Sequence, residues 1–335
     1  MKTTRFHGNS LAGRRILVTG GSGFLGGSLV ERLLQINVIV AAVARTPGRL
    51  PLLRHAGYCF VPCDLSDSTE TMNAFAQFQP EVVFHFASHP DAAEDFSQAQ
   101  RTMQGNLRIT LNTLEALRCS GGKLLIYGDS CKVYGHAPVP YRESTPVAPL
   151  SSYAIAKAAG WELCKLYQRI HGLCSVSVRP TMIYGPHQAF NLFSYVADCI
   201  NNNREVRLDG GSQTRDPLFL TDALDAFIAV AERGIELAGR IVNIGGGEEE
   251  TVIELARNCV RLAGNSVHVV PLANRMRPTD TARSYCDNVE AMAMLGWRPQ
   301  TPRIEGLKRT LAQMVHPRLW QPRAGDFLPA DRVEI

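Results

Sequence analysis

Short runs of apolar residues recur along the first half of the chain, with segments of helical periodicity between them. The runs are Arg15–Thr19, Val38–Ala44, Tyr58–Pro62, Val82–Phe86, Lys123–Tyr127 and Cys174–Arg179. The helical pattern is clearest over Phe24–Gln35, Thr102–Arg118 and Ser152–Ile170. Apolar strands alternating with helices predict a parallel sheet covered on both faces, the doubly wound α/β class. A later run, Arg240–Ile244, is expected to complete this sheet through residues 240–245.

The alternation is lost beyond about residue 180, where turn-forming residues such as Gly210–Gly211 interrupt shorter elements. This change predicts a first domain over 14–180 and a smaller, irregular second domain over 181–316. Residues 1–13 are polar and aperiodic, so we expect a loose leader. Residues 317–335 contain prolines and charges and are expected to form a loosely held tail.

Composition and charge exclude several classes of function. The 335 residues are 45% hydrophobic and 20% charged, as in ordinary globular proteins. The net charge of +4 is spread along the chain, so no nucleic-acid partner is implied. No apolar stretch approaches the ~18 residues of a membrane span, and the first residues lack an apolar signal core. The nine cysteines form no CxxC pair and no zinc-ligand spacing, which indicates reduced thiols, a cytoplasmic location and no metal.

A glycine-rich loop follows the first predicted strand. Gly20, Gly23, Phe24, Leu25 and Gly26 join that strand directly to a helix. Glycines let the backbone turn tightly and approach a pyrophosphate, while the helix N-terminus offers free N–H groups and a positive dipole end. A strand before the loop and a helix after it make a dinucleotide site the favoured interpretation.

The end of the second strand indicates which dinucleotide is bound. Sites for NAD(H) often carry a carboxylate there that accepts hydrogen bonds from the ribose hydroxyls. Here Ala44 and Arg45 stand in its place. An arginine suits the 2′-phosphate of NADP(H), so we expect NADP(H) to be preferred over NAD(H).

Three polar residues form a candidate catalytic group. Tyr153 and Lys157 are four residues apart in a helical segment and therefore share one helix face. A lysine charge favours the phenolate and is expected to lower the pKa of Tyr153. Ser130 follows the strand Lys123–Tyr127 at the carboxyl edge, where parallel sheets build sites, and is placed to bond the same substrate oxygen.

Together, the glycine loop, Ser130, Tyr153 and Lys157 resemble the extended short-chain dehydrogenase/reductase family, which includes nucleotide-sugar epimerases and dehydratases. The resemblance covers roughly residues 15–315. Further motifs occur in family order: Asp64-Leu65, His85-Phe86-Ala87, Asn106, Thr110, Val133-Tyr134-Gly135, Tyr184-Gly185-Pro186, Arg215-Asp216, Asp222, Val242–Gly245, Arg277–Asp280 and Leu295-Gly296-Trp297.

The resemblance implies a Rossmann domain that binds NAD(P) and a smaller α+β domain that binds a nucleoside diphosphate sugar. Tyr153 would act as acid/base, Lys157 would hold the cofactor ribose and Ser130 would orient the sugar hydroxyl. Besides these residues and the glycine loop, the family pattern assigns cofactor contacts to Arg45, Asp64, Leu65, Ala87 and Asn106. It assigns substrate contacts to Ser130, Asn191, Arg215, Arg277 and Asp280, and it implies a homodimer built on the helices Thr102–Arg118 and Ser152–Ile170.

Departures from the family pattern bear on the reaction. Cys131 and Lys132 stand where 4,6-dehydratases carry an acid pair, which argues against the commonest dehydratases. We expect Cys131 to be a packed small residue, whereas Lys132 is either a solvated charge or a second acid/base. Met182 replaces an asparagine that contacts the substrate phosphate in epimerases, and Asn191 is a candidate to take over that contact.

These observations leave several functions open. The leading hypothesis is an epimerase or 4-ketosugar reductase that moves a hydride at a sugar ring carbon, which we expect to be C4. A 4,6-dehydratase that uses Lys132 is an alternative, and so is a reductase of a non-sugar carbonyl. The non-enzyme alternative is a dinucleotide-binding regulatory protein, against which the intact Ser130, Tyr153 and Lys157 argue.

Overall fold

The computed structural model describes residues 10–48, 50, 55–89, 96–189, 191–272 and 278–316. Most of the predicted leader, the whole predicted tail and Arg277 therefore lie outside the described residues. The division into domains at residues 180 and 181 remains a prediction.

The described chain alternates strands and helices in its first half. The strands are β1 (Arg15–Thr19), β2 (Ile39–Ala44), β3 (Tyr58–Pro62), β4 (Val82–His85), β5 (Leu124–Gly128), β6 (Cys174–Pro180), β7 (Met182–Tyr184), β8 (Val206–Asp209), β9 (Thr214–Arg215), β10 (Pro217–Phe219), β11 (Ile241–Ile244), β12 (Glu250–Thr251) and β13 (Val269–Leu272). The helices are α1 (Phe24–Leu34), α2 (Ser68–Phe78), α3 (Phe96–Cys119), α4 (Ser152–His171), α5 (Leu192–Asn201), α6 (Leu220–Arg233), α7 (Val252–Leu262), α8 (Val289–Leu295) and α9 (Arg303–Met314).

A seven-stranded sheet in the order β11-β6-β5-β4-β1-β2-β3 organises the molecule. Every neighbouring pair in it is parallel, including β11 with β6. The doubly wound Rossmann class is therefore confirmed. The strand predicted over Arg240–Ile244 joins the sheet edge beside β6. All carboxyl ends lie along one edge, so residues distant in sequence meet there.

Alternate residues of each strand bury on opposite faces of the sheet. In β1, Ile16 and Val18 pack in one core with Leu29 of α1 and Phe227 of α6. Leu17 points the other way and packs in a second core with residues of α2, α3 and α4. Because both faces are covered, the strands are apolar throughout rather than alternating, and this made them visible in the sequence.

The C-terminal part is a smaller α+β layer with its own core. Three two-stranded sheets, β10-β7, β12-β9 and β13-β8, lie beside α5, α7 and α9. Tyr184, Phe193 and Leu307 are buried together in this core. This agrees with the smaller α+β unit expected from the family resemblance.

Two helices of the first half differ from the sequence prediction. Helix α2 is not among the predicted elements, although Asp67 caps it by accepting a hydrogen bond from Glu70 N. Helix α3 begins at Phe96, six residues before the predicted Thr102. The first turn of α3 is rich in polar residues, so apolar periodicity does not reveal it.

Trp297 ties the C-terminal segment to the main core. It is 2% exposed, and its indole N–H donates to Asp222 O of α6 at 3.0 Å. We expect Trp297→Ala to lower the free energy of unfolding by about 3–5 kcal/mol, the usual cost of truncating a buried aromatic residue. Chemical denaturation measures this. The neighbouring exposed Arg298→Ala is the control, and an equal effect of both changes would contradict the assignment.

Candidate active site

The geometry of the glycine loop leaves no room for side chains. Bare backbone of this kind can approach a phosphate group closely. Gly20 has φ = +65°, and a Cβ there would lie 2.9 Å from Ala87 N. A Cβ on Gly26 would collide with Gly20 O. Helix α1 begins after Gly23, and within the described residues no side chain caps it and its first turn has no acidic residue. The N-terminus of α1 is therefore open to an anion.

A cleft of about 780 Å³ runs along the carboxyl edge of the sheet. It brings together almost all the predicted cofactor and catalytic residues. Those lining it are Gly20, Gly23, Phe24, Leu25, Gly26, Arg45, Asp64, Leu65, Ala87, Ser130, Tyr153 and Lys157. The glycine loop and the Tyr–Lys pair thus belong to a single site.

One end of the cleft carries opposite charges. Arg45 follows β2 and is exposed, and Asp64 follows the neighbouring β3. Ser66 donates to the Asp64 carboxylate through its N–H at 2.9 Å and its hydroxyl at 2.8 Å. These bonds lower the pKa of Asp64, and the Arg45 charge adds to the effect. The second strand thus ends without a carboxylate, but the third strand supplies one nearby.

A buried hydroxyl that the sequence analysis did not single out holds the backbone after β4, which lines the cleft. Thr19 Oγ1 accepts hydrogen bonds from Phe86 N and Ala87 N, each at 3.1 Å. It also bonds His85 Nδ1 at 2.9 Å. Burial lowers the pKa of His85 to about 3, so the ring is neutral. A threonine at the end of an otherwise apolar strand was the signal available in the sequence.

Asn106 does not line the cleft. It is buried, and its side-chain oxygen accepts a hydrogen bond from His89 N at 2.7 Å. Its amide donates to His89 O at 3.3 Å. Asn106 thus anchors the segment after β4, which itself lines the cleft through Ala87 and His89.

Helix α4 positions Tyr153 and Lys157 one turn apart. Ser151 caps the helix by accepting a hydrogen bond from Ala154 N at 3.2 Å, which places Tyr153 in its first turn. Lys157 is buried, and its Nζ donates to Gly128 O at 2.6 Å. The Nζ lies 5.7 Å from the centre of the Tyr153 ring. Burial lowers the pKa of Lys157 to about 8.

The expected lowering of the Tyr153 pKa is wrong for this structure. Burial of the phenol raises its pKa, and the charges of Asp129 and Cys131 raise it further. The Lys157 ammonium donates to the Gly128 carbonyl and lies 5.7 Å from the centre of the phenol ring. Tyr153 is therefore a proton donor at neutral pH.

Ser130 begins a 3-10 turn over Cys131–Tyr134, and its Oγ accepts a hydrogen bond from Lys132 N at 3.3 Å. Cys131 is 4% exposed and packs with Cys286, as expected of a small packed residue. Lys132 is exposed, with its Nζ 6.0 Å from the centre of the Tyr153 ring. The turn thus presents Ser130 and Lys132 on the side of Tyr153.

Three predicted substrate residues of the C-terminal part, Asn191, Arg215 and Asp280, lie outside the lining of this cleft. Arg215 pairs with Asp280 and donates to Thr214 O at 2.6 Å and Thr281 O at 3.0 Å. Asn191 caps α5 by accepting a hydrogen bond from Ser194 N at 2.8 Å. Arg277 is outside the described residues.

Two further observations concern the described residues alone. No group of His, Cys, Asp and Glu side chains among them has the arrangement of a metal site. None of the helices in the described ranges combines the length and hydropathy needed to cross a bilayer.

The sheet, the glycine loop and the cleft define a dinucleotide-binding enzyme fold. The sequence model of the NAD-dependent epimerase/dehydratase family matches residues 16–245. The chain therefore belongs to this family, which lies within the expected extended short-chain dehydrogenase/reductase group.

Individual relatives agree. The UDP-glucose 4-epimerase of Mycolicibacterium smegmatis is 31% identical over 309 residues, which cover 89% of this chain and 97% of that protein. The human dTDP-D-glucose 4,6-dehydratase is 29% identical over 89% of each chain. Both relatives of this chain are enzymes, and the chain itself is an enzyme of the NAD-dependent epimerase and dehydratase class.

Solved structures give the same picture. The Thermus thermophilus UDP-glucose 4-epimerase in complex with NAD is 29% identical and superposes with a TM-score of 0.79 over 90% of this chain and 98% of that chain. The Thermotoga maritima UDP-glucose 4-epimerase with UDP-glucose is 27% identical, with a TM-score of 0.82 over 89% and 97%. These neighbours bind NAD and a nucleotide sugar, respectively.

The glycine loop generates a test that does not need the substrate. We expect Gly20→Ala to weaken dinucleotide binding at least ~10-fold, about 1.4 kcal/mol, because the added methyl displaces the backbone at Ala87. Calorimetric titration measures this. Gly13→Ala is a matched control, since Gly13 also has positive φ (+75°) but the described structure leaves open space around it. Equal dinucleotide affinity in both variants would contradict the assigned loop.

Proposed function

We propose that the chain is a nucleotide-sugar epimerase or 4-ketosugar reductase that moves a hydride at a sugar ring carbon, C4. The observation that carries the proposal is the single cleft joining the α1 N-terminus to Ser130, Tyr153 and Lys157. A dinucleotide with its pyrophosphate at α1 extends along the sheet edge toward these residues. A sugar hydroxyl beside Tyr153 then lies next to the reacting ring of the cofactor.

The side chains divide the chemistry between them. Nicotinamide dinucleotide, when bound, supplies the hydride acceptor or donor. Tyr153, protonated at neutral pH, donates its proton to a ketosugar oxygen, and in the reverse direction its phenolate takes the proton of a hydroxyl. Ser130 orients that oxygen. Lys157 holds the cofactor ribose and keeps a positive charge under the phenol.

The protonation of Tyr153 favours the reductive direction, because a phenol is ready to protonate the oxygen of a 4-ketosugar. Buried Cys131 stands directly after Ser130, so that position supplies no carboxyl group for the elimination that a dehydratase performs. Lys132 beside the Tyr153 ring supports the 4,6-dehydratase as the second candidate, with its ammonium as the extra acid/base. Elimination of water from an NDP-hexose distinguishes the two.

The substrate proposed is a nucleoside diphosphate sugar. Relatives with that substrate support it, including the Thermotoga maritima enzyme with UDP-glucose. Arg215 and Asp280 form a half-buried ion pair, so a diphosphate that bound Arg215 would replace Asp280 as its partner. Asn191 and Arg277 remain proposed contacts.

We also propose a homodimer built on α3 and α4. These two helices pack against each other, and apolar Leu111, Ile155 and Ile170 on them are 42%, 43% and 61% exposed. A second copy of the chain would cover these side chains. Size-exclusion chromatography with light scattering tests the assembly.

The experiment that tests the function starts from wild-type protein. The dinucleotide that co-purifies is identified, and UDP-, dTDP-, GDP- and CDP-sugars and their 4-keto derivatives are screened by NMR. A new epimer without net cofactor use indicates the epimerase, and stoichiometric NADPH consumption indicates the reductase. Absence of any product from the whole panel would contradict the nucleotide-sugar assignment.

Tyr153→Phe tests the proposed acid/base. We expect it to fold and bind the dinucleotide but to lose at least ~10²-fold in turnover, the usual contribution of a positioned proton donor. Steady-state kinetics measure the loss. Tyr167→Phe on the same helix removes a phenol that bonds Glu115 and should turn over normally. Near-normal turnover of Tyr153→Phe would remove this mechanism.

Arg45 tests the proposed preference for NADP(H). Its guanidinium offers a fork of donors to the 2′-phosphate, a contact worth on the order of 1.5–3 kcal/mol, or roughly 10- to 150-fold in affinity. The nearby Asp64 reduces this by attracting the same guanidinium. We expect tighter binding of NADP(H) than of NAD(H) by calorimetry, with the difference largely erased in Arg45→Ala.

Arg240→Ala serves as the matched control. Arg240 is an exposed arginine before β11 that pairs with Glu290, at the opposite edge of the sheet. This variant should keep the wild-type preference. Equal wild-type affinities, or tighter binding of NAD(H), would overturn the assignment and favour the NAD-retaining epimerase.

A further inference from the structure

A buried ion pair lies directly beside Ser130. Arg179 Nε and Asp129 Oδ2 are 2.7 Å apart, and their side chains are 2% and 0% exposed. Asp129 Oδ2 also accepts a hydrogen bond from Ser177 Oγ at 2.8 Å. A buried ion pair adds little to stability compared with apolar residues of the same size, because desolvating both charges is costly. Its presence at this place calls for an explanation other than stability.

The pair connects the catalytic segment to the sheet. Asp129 Oδ1 accepts a hydrogen bond from Ser130 N at 2.8 Å. Arg179 Nη1 donates to Tyr134 Oη at 3.1 Å, and Tyr134 Oη donates to Asn243 Oδ1 at 2.7 Å. The chain of contacts therefore runs from the end of β5 across β6 to β11, and it fixes the turn that carries Ser130.

The same short segment holds Lys157. Gly128, the residue before Asp129, accepts the hydrogen bond from Lys157 Nζ through its carbonyl at 2.6 Å. Two consecutive residues, Gly128 and Asp129, thus bind the ammonium, the buried guanidinium and the Ser130 backbone. The carboxylate of Asp129 contacts one buried cation, Arg179, and belongs to the residue next to the carbonyl that binds the other, Lys157.

We propose that Asp129 is a positioning residue that acts on the reaction in two ways. It orients Ser130 through the backbone N–H, and its carboxylate is the counter-charge to the Lys157 ammonium that the neighbouring Gly128 carbonyl binds. The proposal rests on the proposed function of Ser130 and Lys157.

The charges around Lys157 support the second role. Burial lowers the pKa of Lys157, and Asp129 is the first of the neighbours that oppose this. The other titratable neighbours stay neutral near pH 8: burial lowers the pKa of His85 on β4 to about 3, and burial raises the pKa of Tyr127 on β5 and of Tyr153 and Cys164 on α4. Arg179 on β6 stays charged and pairs with Asp129.

Loss of the Asp129 charge should move the titration of Lys157 to lower pH. The Lys157 ammonium is lost as the pH rises through its pKa of about 8. Without the Asp129 charge that pKa falls further, so the ammonium is lost at lower pH. The alkaline limb of the activity profile must then move to lower pH.

The test removes the Asp129 charge from a chain that already lacks the Arg179 charge. R179Q keeps the Asp129 carboxylate with its hydrogen bonds from Ser130 N and Ser177 Oγ, and D129N/R179Q then removes that charge while keeping an acceptor for Ser130 N. We expect the alkaline midpoint of kcat to lie about one pH unit lower in D129N/R179Q than in R179Q, the scale of a nearby opposite charge, with KM for the sugar unchanged. R179M and D129N/R179M, with an apolar chain in place of the guanidinium, provide a second pair with the same readout.

A direct readout does not depend on turnover. NMR of lysines labelled with ¹³C, with the Lys157 signal assigned by Lys157→Arg, follows the titration in the cofactor-free chain. E250Q/R303Q is the matched control, because Glu250 and Arg303 form another partly buried pair, 2.8 Å apart, outside the cleft. It should leave both the profile and the Lys157 titration unchanged.

The outcomes separate the two hypotheses. A folded double variant with the same Lys157 titration and pH profile as its single Arg179 variant would overturn the role of Asp129. A lowered Lys157 titration in a protein whose wild type turns over no nucleotide sugar would support that role and reject the proposed function.

Discussion

Parallel strands buried on both faces can present functional groups only where they end, and this constraint organises the whole molecule. The central strands β1, β4, β5 and β6 end side by side at one edge of the sheet. The glycine loop, the turn at Ala87, Ser130 and Thr181 all follow these ends and line the same cleft. Helix α4 then needs only its N-terminal cap at Ser151 to bring Tyr153 and Lys157 to that edge.

Burying polar groups at this edge sets their chemistry. Lys157, Asp129 and Arg179 are almost fully withdrawn from solvent, and each has partners that satisfy its charge or its donors. The same burial lowers the pKa of Lys157 and raises that of Tyr153. The site thus holds an ammonium that is close to losing its proton next to a phenol that keeps its own. Such a pair suits proton delivery to a carbonyl oxygen.

Local sequence patterns were sufficient to predict the elements whose buried residues follow one another along the chain. The apolar strands, the glycine loop and the spacing of Tyr153 and Lys157 could all be predicted because neighbouring residues carry the signal. Helix α2 was not predicted because its apolar face is short and its first turn is polar. The role of Thr19 was not predicted because a single hydroxyl in an apolar strand has no periodicity.

Long-range electrostatics could not be read from the chain. Asp129 and Arg179 are fifty residues apart in sequence and meet only because β5 and β6 are neighbours. The raised pKa of Tyr153 depends on desolvation by the whole cleft wall, which no local motif encodes. Asp280 pairs with Arg215, which comes from a distant strand.

A structure of the chain with dinucleotide and nucleotide sugar both bound tests the account most directly, because it asks whether one cleft holds both molecules. We predict that the pyrophosphate lies at the N-terminus of α1. We also predict that a hydroxyl or keto oxygen on a ring carbon of the sugar lies within about 2.6–3.2 Å of Tyr153 Oη, the reach of a proton-transferring group. A sugar bound with its ring out of reach of Tyr153, or a dinucleotide bound away from the glycine loop, would contradict it.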